Sequence, residues 1–153
     1  MNNGLVVIED TDRHRSLLET AGELAAGAEA DLVLLSMTST TEVTAQREAV
    51  SQVSKSHAAA YGTDTAEQRL THVADRVARE GLVDADDVEY HVVPRIVDAN
   101  REATTIVDVA EEYDCDHVFM IGKKRSRTGK AIFGSLAQSV MLAFDGQVTV
   151  ELE

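Results

Sequence analysis

The apolar positions fall into short dense runs, separated by longer stretches in which they recur every three or four residues. Gly4-Leu5-Val6-Val7-Ile8 and Asp31-Leu32-Val33-Leu34-Leu35-Ser36-Met37 are continuous rather than alternating, so both read as strands buried on two faces. Val88–Val93, stopped by Pro94, reads as a third strand, Val118–Ile121 as a fourth and Gln147–Leu152 as a fifth. Between the first two, Leu17, Ala21, Leu24, Ala25 and Ala28 mark one face of a helix over Arg13–Ala30, with Asp12 as its expected N-cap.

Thr38-Ser39-Thr40-Thr41 is a loop, Glu42–Tyr61 is helical in propensity but weakly amphipathic, and Gly62-Thr63-Asp64 breaks it. Thr65-Ala66-Glu67-Gln68 has the form of a capping box, and the helix it opens ends at Gly81. A further helix, Arg101–Tyr113, buries Ala103, Ile106, Val107 and Ala110. Strand and helix alternate throughout, which predicts one α/β domain over residues 1–153: a doubly wound, Rossmann-like, five-stranded parallel sheet with helices on both faces.

Composition narrows the function. Twenty-seven Asp and Glu against fourteen Lys and Arg give a formal net charge of −13, which disfavours general nucleic-acid binding and suits a proteome working at high salt. No apolar stretch approaches a membrane span, no signal peptide is visible, and the single Cys115 fits a reducing cytoplasm. Cys115 lies between Asp114 and Asp116, two carboxylates that raise its pKa and argue against a nucleophile.

Against that acidity, five of the fourteen Lys and Arg residues fall within Lys123–Lys130, and Gly122, Gly129 and Gly134 punctuate the same stretch. A strand feeds this loop and the helical run Ser135–Leu142 follows it. Bare backbone N–H groups, cationic heads and a helix N-terminus in that order suit a phosphate. A basic loop in an acidic protein also suits neutralisation of its neighbours or an acidic partner surface. A Walker loop is excluded, because Gly129-Lys130 is followed by Ala131 and Lys124 stands five residues before Gly129. In a parallel sheet, ligands sit beyond the strand carboxyl ends where chain order reverses. Glu9-Asp10, Ser36-Met37 and the Gly122 loop are therefore expected around one crevice, with phosphate at the basic loop and a carboxylate from strand one on the sugar hydroxyls.

Val7-Ile8-Glu9-Asp10 at the end of strand one, together with Met120-Ile121-Gly122…Gly134-Ser135-Leu136-Ala137-Gln138-Ser139-Val140, resembles the universal stress protein family over Gly4–Leu152. The ATP-binding pattern of that family is Gly, two residues, Gly, nine residues, then Gly-Ser/Thr. This chain matches it at Gly122 and at Gly134-Ser135. Arg125 stands where the second glycine belongs, and eight residues rather than nine separate it from Gly134. The resemblance implies Asp10 near ribose and adenine, the Ser36-Met37 backbone near adenine, and Gly122, Gly134 and Ser135 around the phosphates. Gly129 restores a tight turn, and Arg125, Arg127 and Lys130 compensate with charge, or the loop serves AMP or a non-nucleotide anion. It also implies a homodimer through the last strand, where Val148, Val150 and Leu152 alternate with Thr149 and Glu151.

Other chemistries fit less well. A phosphorylated receiver domain needs an Asp after strand three and a Lys after strand five, where Val93-Pro94-Arg95 and Glu151-Leu152-Glu153 stand. Asp10, Asp12 and His14 do not make a metal cage, since His57, His72, His91 and His117 are scattered, so any Mg²⁺ is expected to be shared with phosphates. Ser135 has no His placed to activate it, so N-capping with phosphate contact is its expected role. With no base for attacking water, no catalytic residue is assigned. The expectation is a cytoplasmic stress-response regulator that binds ATP or AMP, hydrolyses slowly at most, and touches neither membrane nor nucleic acid. The alternative is a dimerisation or partner-binding module that holds no nucleotide.

Overall fold

A computed structural model describes residues 1–45, 48, 65–123 and 134–153. Five strands, β1 (Asn3–Ile8), β2 (Asp31–Ser39), β3 (Tyr90–Val97), β4 (His117–Gly122) and β5 (Gln147–Leu152), form one parallel sheet in the order β3-β2-β1-β4-β5. Among the described residues, helices α1 (Asp12–Ala28), α2 (Ala66–Gly81), α3 (Glu102–Glu112) and α4 (Ser135–Ala143) lie in the connections. Residues 40–45 are also helical. The rest of the helix expected over Glu42–Tyr61, apart from residue 48, and the break at Gly62-Thr63-Asp64 lie outside the described residues.

The continuous apolar runs place side chains alternately on two covered faces. Val6 and Ile8 of β1, Leu32 and Leu34 of β2 and Phe119 of β4 meet Leu17, Leu18 and Ala21 of α1 and Ala74, Val77 and Ala78 of α2. Leu5, Val33, Leu35, Val118 and Met120 point the other way, onto Ile106 and Ala110 of α3 and Ala137 and Val140 of α4. Two-sided burial is what allows these strands to dispense with polar alternation.

Four boundaries differ from expectation. Thr38-Ser39-Thr40-Thr41 is not a loop: Thr38 and Ser39 extend β2 along the ladder to Ile96 and Val97 of β3, and Thr40 and Thr41 open the short helical stretch, where Ser39 Oγ accepts from the Glu42 amide at 3.0 Å. Thr11, not Asp12, caps α1: its side-chain oxygen accepts from the His14 amide, and Asp12 becomes the first helical residue, favourably placed against the helix dipole. Pro94 does not stop β3 but sits inside it, opposite Ser36. This is allowed because β3 is an edge strand, where a missing N–H costs no ladder bond. Gly134 rather than Ser135 is the N-cap of α4, with no side-chain hydrogen bond there. The Thr65–Gln68 capping box forms with both reciprocal bonds, at 3.2 and 2.9 Å.

Candidate functional site

All five strands run the same way, so the carboxyl ends of β1, β2 and β4 open on one rim, and the order reverses between β1 and β4. Among the described residues, two hollows open on this rim. The first, of about 470 Å³, is walled by Glu9 and Asp10 after β1, Ser36, Met37 and Thr38 of β2, and Ala66, Leu70 and Val73 of α2. The second, of about 630 Å³, is walled by Glu9, Thr11 and His14 on one side and by Ile121, Lys123 and Leu136 on the other. Glu9 and Met37 line both, so the hollows adjoin at these residues.

Asp10 lines the first hollow, yet its carboxylate is engaged. Arg15 Nη2 donates to Oδ1 at 2.6 Å and Arg76 pairs with Oδ2. Arg15 also pairs with Glu80, so Asp10, Arg15, Arg76 and Glu80 tie the start of α1 to α2. The hydrogen bond from Arg15, reinforced by the charge of Arg76, holds the Asp10 carboxyl below its ordinary range. The family resemblance singles out Asp10, which lines the first hollow; Glu9, beside it at the end of β1, lines both hollows. His14 Nε2 stands 4.0 Å from Glu9 Oε2. Which of two adjacent acids faces the rim depends on where the strand twists into α1, and no pattern in the residues states that.

Ser36 and Met37 lie in the first hollow as expected. Gly122 ends β4, and its missing side chain is required by packing, since a Cβ there would stand 2.6 Å from Val150 Cγ1. Its carbonyl accepts from the Glu153 amide at 3.0 Å. Gly134 packs against Lys123, so the N-terminus of α4 opens beside the end of β4. Ser135 is exposed at the first helical position, next to Leu136 in the wall of the second hollow. Arg125, Arg127, Gly129 and Lys130 lie outside the described residues. Among the described residues, no group of His, Cys, Asp or Glu could hold a metal ion, and no helix is long and apolar enough to cross a membrane.

The model of the universal stress protein family matches residues 1–150. The chain belongs to that family. The universal stress protein of Archaeoglobus fulgidus superposes with a TM-score of 0.62 at 19% identity, over 98% of this chain and 93% of the other. A structure of the universal stress protein from the same organism in complex with dAMP gives 0.53 at 17%, over 98% and 96%. A universal stress protein in complex with cAMP gives 0.53 at 15%, over 99% and 96%. At these identities the likeness establishes the fold. No curated protein matches this universal stress protein.

Proposed function

We propose that this chain binds an adenine nucleotide, AMP or ATP, across the two adjoining hollows, and that the bound state regulates a stress response. The observation that carries this reading is the junction at Glu9 and Met37, on the rim where chain order reverses between β1 and β4. Adenine and ribose occupy the first hollow, against the Ser36-Met37 backbone and the Glu9 carboxylate. The phosphates lie toward Gly122, Lys123 and the opening of α4, and any Mg²⁺ is shared with them. Arg125, Arg127, Gly129 and Lys130 belong to this reading through the basic loop. Asp10, tied to Arg15 and Arg76, shapes the wall, and Glu9 is the acceptor for sugar hydroxyls. Related proteins in complex with dAMP and cAMP support the ligand class. Hydrolysis is slow at most, the protein works in the cytoplasm, and two copies pair through β5.

A second reading, a partner-binding module without nucleotide, draws support from Glu9, Asp12, Glu102 and Glu153 in the second wall, since an anion is repelled by them. Titration with a fluorescent ATP analogue decides. Saturable binding that Gly134→Asp abolishes is expected. Silence at millimolar nucleotide hands the site to the second reading.

A further inference from the structure

The second hollow contains a histidine that the nucleotide reading leaves without a task. The His14 side chain is only 12% exposed, in the first turn of α1. Its Nδ1 stands 2.6 Å from Thr11 Oγ1. That hydroxyl already accepts the His14 amide at 3.2 Å, so its own O–H is free to donate to Nδ1, and this pattern puts the ring proton on Nε2, facing Glu9. Acids predominate among the described groups that line this hollow with the ring. Among the described residues, Glu9 and Asp10 follow β1, Asp12, Arg13 and Arg15 flank it on α1, Glu151 and Glu153 come from the end of β5, Glu102 from α3, and Lys123 follows β4. Asp10 is neutralised by Arg15 and Arg76, and Arg13 is turned to Glu151 and the Leu152 carbonyl. Among the described residues, Lys123 stands in this wall with Glu9, Asp12, Glu102 and Glu153.

We propose that His14 adds a positive charge against these acids, so that an anionic ligand in the second hollow is bound together with one proton, taken from solvent onto His14 Nδ1. Thr11 Oγ1 can follow the change, because its O–H turns away and the oxygen accepts the new N–H. Burial keeps the unliganded ring below the ordinary histidine pKa, in spite of Glu9, Glu153 and Glu151, which leaves it mostly neutral near pH 7. A bound anion favours the charged form, and by linkage the charged form favours the anion. The inference rests on the nucleotide reading for the identity of the ligand and on the hollow alone for the proton.

Monoester phosphates titrate near pH 6 themselves, so the probe is cAMP, whose diester keeps one charge. Calorimetric titration between about pH 6 and pH 8, in buffers of different protonation enthalpy, should show net proton uptake and affinity tightening by up to about tenfold per unit fall in pH. His14→Gln should remove both. The His14 ring resonances of the wild-type protein, followed against pH, should move to a higher midpoint with ligand, which keeps the test independent of how the variant folds. Binding without proton uptake, an undiminished pH slope in His14→Gln or an unmoved ring midpoint overturns the proposal. If neither cAMP nor ATP binds at any pH, the nucleotide reading falls, and sulfate then decides the proton. A midpoint raised by sulfate supports the role of His14, and an unchanged one ends it.

Discussion

A methyl group added at Gly122 would have to share space with Val150 Cγ1, 2.6 Å away on the neighbouring strand. Val150 is β-branched and cannot swing aside without abandoning its rotamer. Gly122→Ala is expected to cost about 1–3 kcal/mol in urea unfolding, the usual range for overpacking. A neutral result would show that β4 and β5 separate easily. At Cys115 the question is reactivity. Burial first, then Asp116 and Asp114, push the thiol up to about 11, so only about a thousandth is thiolate at pH 8. The two acids were legible from the residue order, whereas the larger cause, a place under the α3 face of the sheet, was not. Alkylation should be negligible in the folded protein and complete in denaturant. Fast labelling without denaturant would contradict the packing.

At the scale of elements, α2 matters because it walls the first hollow and is tied to α1 by Asp10, Arg15, Arg76 and Glu80. The Asp10 carboxyl is held below its ordinary 3.8, so its contribution is fully present above that value and is lost as the pH falls through the lower, folded-state value. The group is exposed to screening at 40% side-chain exposure. Asp10→Asn should therefore lower the thermal midpoint at neutral pH and low salt, and the gap should close both in strong acid and at about 1 M salt, where the Debye length is about 3 Å. A gap that persists at high salt would mean that packing, not charge, binds the two helices. Elements were readable where one local rule decides them, as with the Val6–Ile8 run or the Thr65–Gln68 box. They were misread where the neighbours decide. Pro94 reads as a stop until β3 is known to be an edge, and Asp12 reads as a cap until Thr11 takes the bond. Arg76 reaches Asp10 across sixty-six positions, and no periodicity announces that.

For the whole molecule the dominant number is the net charge of −13. Self-repulsion of that size opposes the compact state, and added salt screens it. The unfolding midpoint should rise between about 0.05 and 1 M NaCl, despite the opposite trend of the Asp10 cluster, because the excess charge belongs to the entire surface. A midpoint that falls with salt would show that local ion pairs outweigh the global field. The rim where the hollows adjoin was foreseeable, since a parallel sheet brings the ends of β1, β2 and β4 together. The facing of Glu9, the place of His14 and the capture of Asp10 were not, because each depends on how α1 leaves β1.

Proline inside β3 carries one more consequence. A chain of sheets growing end on end needs two receptive borders per copy, and Pro94 interrupts the row of donors along one of them. If two copies pair through β5 as proposed, the borders left open are the two that carry Pro94, and end-on growth beyond the pair is hindered there.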